Sequence, residues 1–313
     1  MEPTQTAFVF PGQGSQALGM GRELAEKYSF AREIFTQADY ILDFSLSRLA
    51  WDGPEGQLND TLNTQPALLT HSVATLRVFQ QKFSGYTPAL VAGHSMGELS
   101  ALVAAGALAF PEALRLAQKR GKFMKRAGAI NPGGMAAILG LDIPTLDKLC
   151  AEASTPDEPV QVANDNCPGQ VVISGATAAL DRALSLAQQA GARRAVKLAV
   201  SIAAHSPLMA HAQADFNQAV KTAPIRDASI PLVGNVSASP LHTADEIRTD
   251  LQAQLRSRVR WTETIQWMAS QGVTTYIELG SGSVLAGLIK RIDKQATVLS
   301  LGSPADFEKL NVG

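Results

Sequence analysis

The sequence is poor in cysteine, has almost no excess charge of either sign and contains no long apolar run. Its two cysteines, Cys150 and Cys167, make neither a disulfide framework nor a C-x-x-C metal site, and they suit a reducing compartment. Basic and acidic residues number 27 and 28, a net charge of −1, so no global field calls for nucleic acid or a membrane surface. The longest nearly unbroken apolar stretch, Ala101 to Phe110, is too short to span a bilayer. The first residues, MEPTQTAFVF, lack the basic and apolar regions of a signal peptide. These absences lead us to expect a cytoplasmic protein with no nucleic-acid or membrane partner. Asn235-Val236-Ser237 matches a glycosylation sequon, which without a secretory route we read as chance. No internal repeat or low-complexity linker is present.

What is there is an apolar-rich chain, 46% of 313 residues, long enough to bury a sizeable core. Strand and helix patterns alternate, which predicts an α/β fold. Strands are expected at Thr6–Phe10, Leu90–Ala92, Ile230–Asn235 and Thr274–Leu279. Helices are expected over most of Met20–Leu49 and at Pro66–Phe83, Leu99–Ala109, Pro111–Ala127, Pro207–Ala223, Ala244–Leu255 and Thr262–Ser270. A last helix follows Gly280-Ser281-Gly282 and runs through Arg291. Residues 132–204 read differently: strands at Gly134–Leu141, Val160–Ala163, Gln170–Ser174 and Arg193–Val200, with helices at Pro144–Ala153 and Ala176–Ala190. The order β-α-β-β-α-β is the ferredoxin-like signature. We therefore expect a large α/β subdomain with a parallel sheet, residues 1–131 and 205–313, into which a small ferredoxin-like subdomain, 132–204, is inserted.

The chemistry-bearing stretch is VAGHSMGELS, residues 91–100. Gly93-His94-Ser95-Met96-Gly97 follows an apolar strand and precedes a helical run, the pattern of a nucleophile elbow. A bare G-x-S-x-G also occurs as a plain strand-to-helix turn, but this context favours a nucleophile. The elbow holds the hydroxyl out of the sheet top and places the Met96 N–H, at a helix N-terminus, where an oxyanion forms.

Such a serine needs a base. Of the five histidines, His94 adjoins Ser95 and should point away from it. His71 and His211 fall in helices, and His242 in a loop. His205, in SIAAHSPLM, lies where a strand gives way to a helix and fits the Ser…His chain order. No acid between Ser95 and His205 is marked out by spacing. The histidine is then oriented either by an unrecognised acid or by a backbone carbonyl.

Gly12-Gln13-Gly14-Ser15-Gln16-Ala17 fits G-x-G-x-x-A after a strand, the dinucleotide fingerprint. The second strand and acid that fingerprint requires are missing, since REIFTQADYIL reads as helix. The alternative is a glycine loop that brings a backbone N–H beside the elbow, completing an oxyanion hole with Met96.

Taken together, FVFPGQGSQ (8–16), TQPALLT (64–70), AGHSMGELSAL (92–102), RGKFM (120–124), ANDNCPGQVVISG (163–175), HSPLM (205–209) and QLRSRVRW (254–261) resemble the malonyl-CoA:acyl-carrier-protein transacylases of fatty acid synthesis, over nearly the full length. That resemblance implies an α/β-hydrolase-like large subdomain with a ferredoxin-like small one. It implies Ser95 as acylated nucleophile, His205 as its base, the backbone carbonyl of Gln254 as the group orienting His205, and the N–H groups of Gln13 and Met96 as the oxyanion hole. It implies that Arg120 binds the free carboxylate of the malonyl group, with Gln65 and Asn166 as further substrate-binding candidates. A guanidinium fork suits a carboxylate, and such a bond favours malonyl over acetyl by roughly 1.5–3 kcal/mol.

The implied partners are malonyl-CoA and the phosphopantetheine arm of an acyl carrier protein, with a monomeric enzyme and no metal or other cofactor. Basic residues at Lys119, Lys122, Lys125, Arg126, Arg256, Arg258 and Arg260 are candidates for CoA phosphates or the carrier's acidic helix, or are solvated helix faces. Two departures stand out. Ile202-Ala203-Ala204 matches neither usual selectivity quartet of the related polyketide domains, and Ser281 replaces a frequent proline. The alternatives are a serine hydrolase of carrier-bound acyl groups, a trans-acting acyltransferase of polyketide synthesis, and a non-catalytic acyl-CoA or carrier-binding scaffold.

Overall fold

The computed structural model describes residues 1–310. Among these, eleven strands form two sheets: β1 (Thr6–Phe10), β2 (Leu90–Gly93), β3 (Gly133–Leu139), β4 (Val160–Cys167), β5 (Gln170–Ala176), β6 (Arg194–Lys197), β7 (Leu232–Val233), β8 (Pro240–Leu241), β9 (Val259–Arg260), β10 (Thr275–Leu279) and β11 (Thr297–Leu301).

The larger sheet has the order β11-β10-β1-β2-β7-β8 and is parallel except for β8. Every residue of β1 is buried, as expected for a central parallel strand. Its alternation sends Phe8 and Phe10 into one core and Ala7 and Val9 into another across the sheet. The Phe8 ring packs edge-on against Phe79 of the long helix Thr61–Lys82, centroids 4.9 Å apart. The opposite layer is built on Trp261, Ile265, Tyr276 and Leu288. This stacking makes β1 and β2 neighbours, so the chain leaves both at the same sheet edge. Open parallel sheets bind ligands beyond these carboxyl ends.

The smaller sheet has the order β6-β3-β5-β4-β9. Its first four strands are antiparallel neighbours in the ferredoxin-like arrangement, with helices Ile143–Ala153 and Thr177–Gln189 sharing one apolar core. β9, from the later part of the chain, adds to it in parallel beside β4. The chain is thus an α/β protein with a large parallel-sheet unit and a small ferredoxin-like one.

Several elements differ in extent from the sequence expectation. Met20–Leu49 resolves into three helices, Arg22–Lys27, Ser29–Leu42 and Leu46–Asp52. The helix expected from Pro66 starts a turn earlier at Thr61, where the Asp60 side chain accepts from the Leu62 N–H at 3.0 Å. β4 runs on through Asn164, Asp165 and Asn166 because strands on both sides satisfy its backbone. β6 stops at Lys197, and the rest of the expected Arg193–Val200 strand is irregular. β11 was not expected at all: a short, partly exposed edge strand carries a weak pattern. Among the described residues no helix is long and apolar enough to cross a membrane.

Candidate active site

Ser95 lies in the three-residue link between β2 and the helix Gly97–Ala104, with φ at 52°, left-handed for a non-glycine residue. Such backbone costs about 1–3 kcal/mol and persists only where its surroundings hold it. Two glycines make the turn possible. A Cβ on Gly93 would lie 2.0 Å from the carbonyl carbon and oxygen of Gly97, and one on Gly97 would lie 2.1 Å from the Phe10 oxygen. The elbow predicted from the sequence is therefore present, packed directly on the end of β1.

His205 also has a left-handed backbone, φ 56°, and is 2% exposed. Its Nε2 lies 2.7 Å from Ser95 Oγ. Its Nδ1 faces two carbonyl oxygens, Gln254 at 2.9 Å and Ser257 at 3.1 Å. Carbonyls only accept, so Nδ1 carries the proton and Nε2 is left as acceptor for the serine hydroxyl. Burial, and next the nearby Arg120 charge, push the His205 pKa down to about 3, so the ring is neutral. Among the described residues Nδ1 thus meets no acid but two backbone carbonyls, that of Ser257 beside that of Gln254. Gln161, not expected from the sequence, clamps the same loop by donating to the His205 carbonyl at 2.7 Å.

Arg120 is 1% exposed, on the inner face of the helix Phe110–Ile130. It donates through Nη1 to Gln65 Oε1 at 2.9 Å, and through Nη2 to Gln254 Oε1 at 2.7 Å and Ser95 Oγ at 3.1 Å. Its buried Nε–H has no acceptor among the described residues. A buried, half-satisfied guanidinium against a serine hydroxyl is costly unless an anion completes it. Burial lowers its pKa to about 10.

Gln65 passes the connection on. Its Nε2 donates to Thr61 Oγ1 at 3.1 Å, and that hydroxyl donates to Gln13 Oε1 at 2.7 Å. The glycine loop after β1 presses on the elbow, since a Cβ on Gly12 would lie 2.4 Å from the His94 oxygen. Among the described residues the N–H groups of Gln13 and Met96 have no acceptor. Among the described residues Asn166 makes no hydrogen bond to Ser95, His205 or Arg120. Its Oδ1 pairs with His94 Nε2 at 2.8 Å, and the His94 ring lies edge-on to Trp261.

The basic residues divide. Lys125 pairs with Asp60, Arg126 with Asp215, Arg258 with Asp147 and Arg260 with Glu263. Among the described residues Lys119, Lys122 and Arg256 have no carboxylate partner and are exposed. No group of three or more His, Cys, Asp or Glu side chains that could hold a metal ion is found among the described residues.

Sequence reasoning also missed Asn235 and the side chain of Gln254. Asn235, set aside as part of a chance sequon, is 2% exposed and bridges the elbow. Its Oδ1 accepts from the Ser95 N–H at 2.7 Å and its Nδ2 donates to the Gly93 carbonyl at 2.7 Å. The Gln254 side chain was missed beside its carbonyl: Nε2 donates to the Ser95 carbonyl at 3.1 Å and to Glu98 Oε2 at 2.5 Å. A polar side chain following a strand end was the only sequence cue for Asn235.

A hydroxyl activated by a neutral imidazole is suited to attack an acyl carbonyl, whether the acyl group then passes to water or to another carrier. The sequence profile of the acyl transferase domain family matches residues 7–303. The malonyl CoA-acyl carrier protein transacylase of Bacillus subtilis (strain 168) is 44% identical over 305 residues, covering 97% of this chain and 96% of that protein. An acyl carrier protein S-malonyltransferase from Vibrio cholerae has a crystal structure that matches with a TM-score of 0.94 at 41% identity, covering 98% of this chain and 100% of that one. A malonyl-transacylase solved in complex with its type II polyketide acyl-carrier protein matches with a TM-score of 0.93 at 42% identity, covering 97% of this chain and 98% of that one. The chain belongs to the acyl transferase domain family and is an acyltransferase.

Proposed function

We propose that this acyltransferase moves a malonyl group from malonyl-CoA to the phosphopantetheine thiol of an acyl carrier protein, through a malonyl ester on Ser95. The observation that carries the reading is the buried Arg120 guanidinium, 3.1 Å from Ser95 Oγ and with a spare N–H. A buried cation beside the attacking oxygen, with a spare N–H, favours an acyl group that carries a carboxylate. The names of the relatives, at 44% identity and below over nearly the whole chain, agree with that choice.

His205 Nε2 takes the Ser95 proton as Oγ attacks the thioester carbonyl. The carbonyl oxygen becomes an oxyanion that the Gln13 and Met96 N–H groups receive. The C–S bond then breaks, and the CoA sulfur leaves with the proton from His205. The carrier's pantetheine thiol reverses these steps: His205 accepts its proton, the sulfur attacks the ester carbonyl, and Ser95 regains its hydrogen. All of these groups come from one chain, which supports a monomer as the working unit. The exposed Lys119, Lys122 and Arg256 are our candidates for the acidic carrier or the CoA phosphates.

The test is an intact mass of the protein mixed with malonyl-CoA, then with holo carrier protein. A malonyl adduct that persists in water, moves to the carrier and is absent from Ser95→Ala is the expected result. An adduct that drains to malonate without carrier would make the protein a hydrolase, and no adduct would remove Ser95 as nucleophile.

A further inference from the structure

Glu98 takes no part in the steps above, yet it lies at the centre of the site's foundation. It is 0% exposed, in the first turn of the helix that follows the elbow. Its Oε2 accepts from Gln254 Nε2 at 2.5 Å, and its Oε1 has no donor among the described residues. The Asp250 carboxyl is near enough to act on the Glu98 carboxyl. Asp250 is itself 5% exposed and accepts from the N–H groups of Ser237 at 2.9 Å and Val236 at 3.2 Å, next to the elbow bridge Asn235.

The orientation of the Gln254 amide follows from these partners. Two acceptors, Glu98 Oε2 and the Ser95 carbonyl, demand its NH2. Its oxygen is thereby turned to Arg120 Nη2. The reverse amide orientation would set NH2 against a guanidinium, which has no acceptor.

We propose that Glu98 is a positioning residue: shared between Gln254 and Asp250, its carboxyl fixes the Gln254 amide and so aims Arg120 at the incoming acyl carboxylate. In this arrangement the Glu98 carboxyl is protonated. It accepts from Gln254 on one oxygen and donates to Asp250 from the other, which removes the orphaned acceptor. Burial, and next the Asp250 charge, raise the Glu98 pKa well above its ordinary value, against the opposing pull of Gln254 and Arg120. The proposal rests on the reading of Arg120 as carboxylate anchor.

Glutamine is the neutral isostere of a protonated glutamate: its oxygen can accept from Gln254 while its NH2 donates to Asp250. Leucine has similar bulk and can do neither. The experiment compares initial rates of Ser95 loading by malonyl-CoA and by acetyl-CoA, followed by intact mass, in the wild type, Glu98→Gln, Glu98→Leu and Arg120→Ala. Glu98→Gln should keep the malonyl preference within about threefold, and Glu98→Leu should lower it by about tenfold or more, the scale of one charge-assisted bond. A preference kept in Glu98→Leu, or lost as deeply in Glu98→Gln, overturns the proposal. Should Glu98→Leu fail to fold, infrared spectra decide: the C=O stretch of a protonated carboxyl must be present in the wild type and missing from Glu98→Gln, and its absence from the wild type overturns the proposal. A malonyl preference that survives in Arg120→Ala instead brings down the anchor reading itself, whatever the Glu98 variants do.

Discussion

Arg120 Nη2 lies 3.1 Å from the Oγ of Ser95, so one hydroxyl sits between a guanidinium and the His205 imidazole 2.7 Å away. The two neighbours divide the labour. In the mechanism proposed above, His205 removes the proton and Arg120 meets the carboxylate that the acyl group carries. Arg120→Ala should therefore lower malonyl loading by about 10- to 100-fold, the worth of a charge-assisted bond, while acetyl loading is kept or rises. Arg120→Lys should recover only part, because an ammonium has no planar fork. The malonyl/acetyl ratio of loading rates is the measurement, and an unchanged ratio removes Arg120 from the acyl pocket.

The pH profile should be displaced to the acid side. A free imidazole titrates near 6.5, but His205 is held neutral down to about 3. Single-turnover acylation of Ser95 should stay level well below pH 6.5. A half-maximum at 6.5 would mean that His205 titrates as an exposed residue does. Stability follows the same linkage. The folded pKa is below the unfolded one, so the unfolded state binds the proton more readily. The contribution is full above pH 6.5 and is lost as the pH falls through about 3.

Asn235→Ala should injure the elbow more than the pocket. It strands the Ser95 N–H and the Gly93 carbonyl, at about 1–3 kcal/mol for a buried unpaired group. We expect a lower melting temperature and slower acylation with little change in the malonyl/acetyl ratio. A variant that acylates at the normal rate would show that the glycines hold the elbow unaided.

Gly93→Ala and Gly287→Ala should move stability in opposite directions. The first drives a methyl into the Gly97 carbonyl at 2.0 Å and should cost about 3 kcal/mol or prevent folding. The second is in the helix Val284–Ile292 with nothing near its Cβ, and should add about 0.5–1 kcal/mol. Urea denaturation of both reads the contrast.

How much of this was legible beforehand depended on distance along the chain. The Ser95 elbow, the central strand and the β-α-β-β-α-β order are written in contiguous residues, as period, glycine spacing and strand-turn-helix succession. Pattern favoured His205 among five histidines and left an unrecognised acid or a backbone carbonyl to orient it; the resemblance, not the spacing, implied His205 as base and the Gln254 carbonyl beside it. The ends of elements were less legible. β4 continues through three polar residues, and β11 was overlooked, because pairing partners rather than propensity decide where strands stop.

The sequence by itself determined the α/β class, the elbow and the type of chemistry, since those follow from local patterns that any backbone of this composition must obey. The tertiary structure decided which polar side chains serve that chemistry. Asn235 reaches Ser95 across 140 positions, and Gln254 reaches Glu98 across 156. Nothing in the spacing of either pair marks it, because hydrogen bonds between distant segments depend on how the sheets bring their ends together.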